Sequence, residues 1–444
     1  MSESRRSIIS IVGTTGVGKS QFSIDLAEAI GGEIINADSM QIYERVPIIT
    51  NKHPVNERKG IPHYVMDHVG WNEEYFIHRF SKEAEDAIDT IYSKGKIPII
   101  IGGTHYYLQQ LLFKNKTIGN EDSNEGSERP LTDEQKSLLN GPVEAIYSKL
   151  EEVDPVIVQK FHPQDKRKLA RALEVYFTTG KKTSDIYKEQ KLNELEESSL
   201  KYNTLLFWVY SDTKVLHERL NKRVDTMMET GALGEIDELY EVYKRLDPPP
   251  SCSNGVWQVI GFKEFLPWLI GNKEDPKLFE EGVERMKIRT RQYSKYQVKW
   301  IKKLLSVELQ KESQFGFQNG GKLYLLDASD LSHWNESVRD RGIEITKQFV
   351  EHGPLGVKEP EKPQGISDEI FPTTEFIQSF PSNKKLGAET DWKHYECNVC
   401  EDKDGRPLIA VGTFRWEEHC KSKRHRKKVQ GMIKRQKLEI NRDN

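Results

Sequence analysis

The chain has 444 residues, of which 36% are hydrophobic and 30% are charged, and its formal net charge is −3. This length is enough to bury at least one large core and to form two or three units, while four cysteines exclude a disulfide-stabilised scaffold and indicate a reducing compartment. No window approaches the roughly 18 apolar residues of a membrane span, so we expect no membrane-embedded segment.

Five short apolar runs predict buried strands at residues 7–13, 32–39, 96–103, 203–210 and 322–329. Amphipathic helical stretches alternate with these runs, for example from Phe80 to Tyr92, and this alternation predicts an α/β fold with a parallel sheet. The first strand begins near Ser7, which leaves no room for a cleavable signal peptide. We therefore expect a cytoplasmic protein, with a nuclear or mitochondrial share left open.

The segment GTTGVGKS follows the first predicted strand and has the spacing G-x-x-x-x-G-K-S. Backbone N–H groups of such a loop surround phosphate oxygens at the start of a helix, as in P-loop NTPases. Lys19 adds a positive charge, and the hydroxyl of Ser20 can hold Mg²⁺. The predicted phosphate-binding residues are Thr14, Thr15, Gly16, Val17, Gly18, Lys19 and Ser20.

A P-loop ATPase or GTPase usually places an acidic residue after a further strand, but the third apolar run ends in IIIGGTHYY, without a carboxylate. Asp38 instead follows the second run, and the carboxyl ends of parallel strands open onto one crevice. Asp38 could deprotonate a nucleophile that attacks phosphorus, as in a small-molecule kinase, or carbon, as in an alkyl transferase that releases pyrophosphate. A structural alternative is that Asp38 caps a helix together with Ser39.

Between the third and fourth runs, the polar segment 115–130 predicts a flexible turn, followed by a helical insertion. Residues 351–390 contain five prolines and four glycines and predict a linker. The predicted division is a catalytic core at 1–113 and 203–345, a helical insertion at 114–202, a linker at 346–390, a zinc finger at 391–430 and a basic tail at 431–444.

The C-terminal region contains a candidate zinc site. Cys397 and Cys400 have C-x-x-C spacing, and His419 and His425 are separated by five residues, so the four can close a tetrahedral site. Cys420 competes as a ligand but points about 100° away from His419 on a helix. From Cys420 onward there are ten Lys or Arg and two acidic residues, which suggests an anionic partner, although a disordered, solvated tail is the alternative.

The chain resembles the tRNA dimethylallyltransferases, most closely the fungal members of the eukaryotic branch, which carry an added zinc-finger-like segment. The resemblance spans roughly residues 7–345 and rests on eight segments in the family's order: GTTGVGKS, INADSMQIY, ITNKHP, IGGTHYYLQ, HPQDKRKLARALEVY, RVDTMMETGALGEI, GVWQVIGFKEF and RTRQYSKYQVKWI. It implies transfer of a five-carbon prenyl group from dimethylallyl diphosphate, held by the phosphate loop, to the exocyclic amine of the adenosine 3′ of the anticodon. Two positions depart from many bacterial members, which have serine at His105 and arginine at Tyr296.

The resemblance also implies residue roles. Asp38 accepts the proton of the amine, while Lys19, Arg223 and Ser20 with Mg²⁺ neutralise the departing pyrophosphate. Thr104 hydrogen-bonds the donor or the adenosine, or else caps the following helix. The implied tRNA-binding residues are Asp38, Ser39, Met40, Gln41, Thr104, His162, Pro163, Gln164, Asp165, Lys166 and Arg167. His162 and Asp165 could equally form a capping turn.

The predicted helix at 284–303 carries eight Lys or Arg and one acidic residue, which favours a path along a phosphate backbone. Its aromatic residues, Tyr293, Tyr296 and Trp300, are expected to pack inward as core, with stacking on bases as the alternative. The partners that the resemblance implies are a tRNA anticodon stem-loop and dimethylallyl diphosphate, and a monomer is expected. The alternatives are an ATP-dependent small-molecule or nucleotide kinase and an RNA-binding adaptor with an inactive core.

Overall fold

The computed structural model describes residues 6–114, 129–367, 370, 392–402 and 404–440. The chain forms two compact units, one made of Met1–Lys116 with Ser198–Phe380 and the other of Thr117–Glu197 with Pro381–Asn444. The predicted polar turn at 115–130, apart from its last two residues, lies outside the described residues, as do most of the linker beyond 367 and the last four residues of the basic tail.

A six-stranded sheet forms the centre of the first unit. Its strands, in spatial order β3-β2-β4-β1-β5-β6, all pair in parallel, and this confirms the predicted α/β fold. The strands are β1 (Ser7–Gly13), β2 (Glu33–Asn36), β3 (His63–Tyr64), β4 (Pro98–Ile101), β5 (Asn203–Tyr210) and β6 (Gly320–Asp327). Strand β3 was not among the predicted strands, because its two residues make no apolar run.

Strand β1 shows why these runs lack an alternation of apolar and polar residues. Ile8 and Val12 join one hydrophobic core, whereas Ile9 and Ile11 join another. Successive side chains point to opposite faces of a sheet, so two covered faces require apolar residues at both parities. The central strands are therefore packed on both faces, and the loops that leave their carboxyl ends start from firmly held residues.

The helices of the first unit cover the sheet. They are α1 (Lys19–Ile30), α2 (Ile77–Ser93), α3 (His105–Leu112), α9 (Thr213–Glu229), α10 (Ala232–Tyr243), α11 (Phe262–Ile270), α12 (Pro276–Trp300), α13 (Ser306–Ser313) and α14 (Arg341–His352). A π-helical turn at Ile301–Leu305 joins α12 to α13. Within the described part of the chain, no helix is both long and apolar enough to cross a membrane.

The stretch predicted as a linker begins with ordered structure. Helix α14 runs to His352, beyond the predicted boundary at 346. Val357 and Ile366 are only 5% and 8% exposed, and the hydroxyl of Tyr324 donates to the carbonyl oxygen of Lys358 at 2.8 Å. The first part of the predicted linker is therefore ordered, because isolated apolar residues anchor a segment whose proline and glycine content indicates a linker.

The second unit contains a helical bundle and a C-terminal hairpin with two helices. The bundle comprises α4 (Asp133–Asn140), α5 (Val143–Val153), α6 (Pro155–Lys160), α7 (Lys166–Thr179) and α8 (Thr183–Glu196). The C-terminal part comprises the antiparallel strands β7 (His394–Glu401) and β8 (Pro407–Val411), followed by α15 (Thr413–Lys421) and α16 (Lys423–Ile440). Nε2 of His394 lies 2.8 Å from the carbonyl oxygen of Phe161, so the two parts are in contact.

A buried carboxylate holds the segment through which the chain re-enters the first unit ahead of β5. Glu312 on α13 is 1% exposed and accepts hydrogen bonds from the hydroxyls of Ser198 and Ser199, both at 2.6 Å. The backbone N–H of Ser199 also donates to Glu312, at 2.8 Å. Three donors thus depend on one carboxylate for their hydrogen bonds.

We predict that Glu312→Ala lowers the free energy of unfolding by about 2–4 kcal/mol, because buried donors lose a charged acceptor. Urea denaturation of the full chain followed by circular dichroism measures this change. Glu312→Gln, which keeps the shape and one acceptor oxygen, should lose less. A loss below about 0.5 kcal/mol for the alanine variant would contradict this account.

Candidate active site

The glycine-rich loop joins β1 to α1, and Lys19 is the first residue of that helix. Gly16 and Gly18 have φ angles of 85° and 89°, in the left-handed region that favours glycine. Gly18 directly precedes α1, so the first N–H groups of the helix open onto the same side as the loop. This geometry is suited to an anion at the helix N-terminus.

Two cationic side chains lie at this loop. Nζ of Lys19 donates to the carbonyl oxygen of Thr14 at 2.7 Å, and Nη2 of Arg223 on α9 donates to the hydroxyl of Thr15 at 2.9 Å. Nε of Arg223 is buried and has no hydrogen-bond partner among the described residues. A bound anion would supply the missing acceptor.

Burial makes both side chains harder to protonate than they are in water. It lowers the pKa of Lys19 to about 8, an effect that the charge of Asp38 opposes and that of Arg223 reinforces. Burial also lowers the pKa of Arg223 to about 10, again against the attraction of Asp38. An anion bound between them would stabilise the protonated form of each.

Asp38 follows β2 and faces these cations. Burial raises the pKa of its carboxyl group, while the Met40 N–H and the charges of Lys19 and Arg223 act in the opposite direction. Oδ1 of Asp38 accepts the N–H of Met40 at 2.9 Å. Residues 39–42 form turns rather than a helix, so the helix-capping alternative for Asp38 is wrong.

Thr104 connects the ends of β4 and β2. It precedes the first residue of α3, but its side chain makes no capping hydrogen bond. Its hydroxyl instead accepts the N–H of Ser39 at 2.9 Å and donates to Oγ of Ser39 at 3.1 Å. Gln41 is held nearby, where Nε2 donates to the carbonyl oxygen of Thr50 at 3.2 Å.

These loops enclose a pocket of about 310 Å³. It brings together the predicted residues Thr15, Gly16, Gly18, Lys19, Ser20, Asp38, Gln41 and Arg223. The predicted residues Thr14, Val17, Ser39, Met40 and Thr104 support its loops and are not among those that line it. Asp38 is the only carboxylate among the described lining residues.

The pocket also includes residues for which the sequence predicts no role. They are Gln21, Ser23, Asn36, Thr50, Asn51, Lys52, His53, Pro54, His63, Met66, Ile101, Gly102, Gly103 and Gln297. The motif ITNKHP signalled five of them, but its spacing points to no particular chemistry. Gln297 was not predicted because it lies in a helix whose many Lys and Arg residues indicate only a basic surface.

The aromatic residues of α12 have three different environments. The hydroxyl of Tyr293 donates to the carbonyl oxygen of Gly103 at 3.1 Å, so this residue supports the site. The ring of Trp300 stacks on that of His105, with centroids 4.2 Å apart. Tyr296 is 68% exposed, so the expectation that all three pack inward is wrong for this residue.

The predicted segment His162–Arg167 lies in the second unit and opens α7. Oδ1 of Asp165 accepts the N–H of Lys168 at 3.2 Å, and Nδ1 of His162 accepts the N–H of Gln164 at 3.1 Å. The capping turn considered from the sequence is therefore present. Gln164, Lys166 and Arg167 have exposed side chains.

The four predicted zinc ligands converge in the C-terminal part of the second unit. Ligand atoms of Cys397, Cys400, His419 and His425 lie within 4.8 Å of one another. The sulfurs of Cys397 and Cys400 are 3.5 and 3.6 Å from Nδ1 of His425, close to the edge of roughly 3.5 Å expected around a tetrahedral zinc. Nε2 of His419 is buried without a hydrogen-bond partner among the described residues, as expected of a ligand atom. Cys420 is not part of this group.

Comparison with known proteins agrees with these features. The chain matches the IPP transferase family over residues 41–304 and the isopentenyl transferase family over residues 6–67. It is 47% identical to the tRNA dimethylallyltransferase of Saccharomyces cerevisiae, over 95% of this chain and 91% of that protein. It is 36% identical to the tRNA dimethylallyltransferase of Schizosaccharomyces pombe, over 97% of this chain and 96% of that protein.

A solved structure of a eukaryotic dimethylallyltransferase acting on tRNA has the same fold. The two structures superpose with a TM-score of 0.81 at 45% identity, over 98% of this chain and 100% of that chain. The similarity covers both the sheet that carries the pocket and the C-terminal part that carries the cysteine and histidine group. The chain therefore belongs to the tRNA dimethylallyltransferase family.

Proposed function

We propose that the pocket transfers a dimethylallyl group from dimethylallyl diphosphate to the exocyclic amine of the adenosine immediately 3′ of the tRNA anticodon, with release of pyrophosphate. The observation that carries this proposal is that one carboxylate, Asp38, shares a pocket with Lys19, Arg223 and a glycine-rich loop. The relatives named above, all tRNA dimethylallyltransferases, support the choice of substrates.

The donor's diphosphate occupies the loop end of the pocket. There it accepts hydrogen bonds from the loop N–H groups, from Lys19 and from the free Nε of Arg223. Mg²⁺ suits this position because the Ser20 hydroxyl lines the pocket beside the donor's phosphates, which are ligands that Mg²⁺ prefers. When bound, the ion would neutralise charge on the leaving pyrophosphate, as would Lys19 and Arg223.

The acceptor reaches Asp38 from the other side of the pocket. A base stacked in an anticodon loop is inaccessible, so the adenosine is extruded from the stack. Its exocyclic nitrogen attacks the first carbon of the donor as the carbon–oxygen bond to the diphosphate breaks, and Asp38 accepts the proton. The raised pKa of Asp38 makes it a better proton acceptor than an ordinary aspartate, while Lys19 and Arg223 favour its anionic form.

The edge of the adenine is proposed to contact the loop Ser39, Met40 and Gln41, with Thr104 holding Ser39 in place. The exposed side chains at the start of α7 are proposed to contact the anticodon loop. A structural zinc ion at the cysteine and histidine group would hold the C-terminal part together, and the basic residues that follow it would lie along tRNA phosphates. The monomeric state and the cytoplasmic location stay predictions.

Labelled substrates distinguish the proposed enzyme from the kinase and adaptor alternatives. A kinase would transfer phosphate from labelled ATP to an acceptor, whereas the proposed enzyme transfers label from the prenyl group of dimethylallyl diphosphate to tRNA. An adaptor would transfer neither group. The names of the relatives favour prenyl transfer.

We predict that Asp38→Ala lowers turnover by about 100- to 10,000-fold, the range expected when a positioned base is lost. Binding of tRNA and donor should be retained, since neither depends mainly on this carboxylate. Single-turnover assays with labelled donor measure the rate, and filter binding measures the affinities. Glu229→Ala, at the exposed end of α9, is the control that should behave as the parent. A loss of turnover below about threefold would remove Asp38 from the role of base.

We predict that donor affinity falls as the pH rises above about 8, because the pKa of Lys19 in the free protein is about 8 and its charge is lost above that value. Linkage limits the decline to about tenfold per pH unit for one proton. Isothermal titration with dimethylallyl diphosphate between pH 7 and pH 9.5 would measure it.

Lys19→Ala should bind the donor more weakly at pH 7, and its affinity should depend much less on pH up to about 9, where Arg223 is still charged. A parent affinity that does not change over this pH range would show that Lys19 does not hold the diphosphate.

We predict that Cys397→Ser loses about one zinc per chain, because three ligands bind the ion less tightly than four. Its tRNA affinity should drop, most visibly at higher salt, while turnover at saturating tRNA stays within about threefold of the parent. Atomic emission and binding across a salt series measure these effects. Cys420→Ser is the matched control and should keep its zinc. A parent protein purified without zinc, or a variant with unchanged tRNA affinity, would contradict the proposal.

A further inference from the structure

Gln297 occupies an unusual place on α12. It is 1% exposed, and both ends of its side-chain amide are used. Oε1 accepts the backbone N–H of Thr15 at 2.8 Å, and Nε2 donates to the carbonyl oxygen of Gly103 at 3.1 Å. These two backbone groups belong to different loops, since Thr15 lies in the glycine-rich loop after β1 and Gly103 lies in the turn after β4.

The turn at Gly103 is built to admit this side chain. A Cβ atom at Gly103 would lie 2.3 Å from Nε2 of Gln297, so only glycine permits the approach. At the preceding residue, a Cβ at Gly102 would lie 2.2 Å from the carbonyl oxygen of Ala37, which precedes Asp38 in the chain. The turn is therefore packed closely against Gln297 of α12 and against the segment that carries the proposed base.

A continuous set of contacts runs through Gln297 from one side of the pocket to the other. On the donor side, Thr15 is also held by Arg223, whose Nη2 donates to the Thr15 hydroxyl at 2.9 Å. On the acceptor side, Thr104 follows Gly103 directly and accepts the N–H of Ser39 at 2.9 Å. Ser39 is the next residue after Asp38, so the chain of contacts ends at the base.

We propose that Gln297 is a positioning residue that fixes the separation between the diphosphate-binding loop and Asp38. This inference rests on the proposed function, because it assigns the spacing to the reaction of that same pocket. The nitrogen, the reacting carbon and the base must be aligned for transfer, and a displacement of about 1 Å between donor and base can cost roughly 100-fold in rate. The side-chain amide of Gln297 accepts from one loop and donates to the other. A movement of either loop relative to the other would therefore break or stretch a hydrogen bond.

Gln297→Met tests the proposal, since methionine has a similar length but can neither accept from Thr15 nor donate to Gly103. We expect kcat/KM for the donor to fall by about 10- to 100-fold, with a lower kcat at saturating donor and tRNA. Gln297→Asn keeps the amide but is one methylene shorter, so it should not span both loops and should also lose activity. If the asparagine variant matches the parent, the span is not what matters and the proposal is wrong.

Ser294→Ala is the matched control on the same helix. Ser294 is 1% exposed, donates to the carbonyl oxygen of Arg291 at 2.8 Å and does not line the pocket. Its kcat and KM should stay within about twofold of the parent. Melting temperatures of all variants separate loss of folded protein from loss of turnover by folded protein.

A double-mutant comparison separates positioning from simple support of the fold. If Gln297 acts by aligning the donor with the base, the kcat loss caused by Gln297→Met should shrink to less than about threefold in an Asp38→Asn background. An equal loss in both backgrounds would overturn the proposal. If the parent itself transfers no dimethylallyl group to tRNA, the proposed function fails and this inference fails with it. A parent that transfers the group and a Gln297→Met variant that equals it would overturn this inference alone.

Discussion

The pocket depends on the mutual stabilisation of three charges that burial makes costly. Burial acts against the charged form of Asp38, Lys19 and Arg223, and the attraction between the carboxylate and the two cations opposes that effect in each case. Lys52 also lines the pocket, so three cationic side chains face one carboxylate and leave the lining with an excess of positive charge. An anion of high charge density is the ligand that completes this balance, which is why a diphosphate fits and a neutral substrate alone would not.

The fold brings these charges together through the order of its strands. The loops after β1, β2 and β4 leave neighbouring strands at the same edge of the sheet. The contacts of Thr15 with Arg223 and Gln297, and of Thr104 with Ser39, then tie the loops to each other and to helices α9 and α12. Groups carried on loops are thus held with the precision of the packed elements, as the alignment of the proposed base, the amine and the reacting carbon would require.

The sequence predicted those parts of the site that depend on local pattern. Asp38 and Lys19 follow strands with long apolar runs. Such runs are easy to recognise in the sequence because these strands are buried on both faces of the sheet. Gln297 could not be found in this way, because it lies in a helix dominated by basic residues and its contacts are with residues 282 and 194 positions away. The strand β3 and the anchoring of Val357 were missed for the same reason, since tertiary packing rather than composition decides both.

The composition of the C-terminal part is compatible with a structural role for the proposed metal ion. Among its described residues, the buried side chains are Cys397, Cys400 and Ala410, two of which are proposed metal ligands. So little apolar burial offsets only a small part of the conformational entropy of a hairpin and two helices, and this supports the proposal that metal binding supplies the difference. Because His394 of this hairpin contacts Phe161, next to His162, the same energy would also hold one side of the segment proposed to meet the anticodon loop. The proposed metal binding in one part of the second unit and the proposed RNA recognition in another would therefore be linked through the packing of the hairpin on the helical bundle.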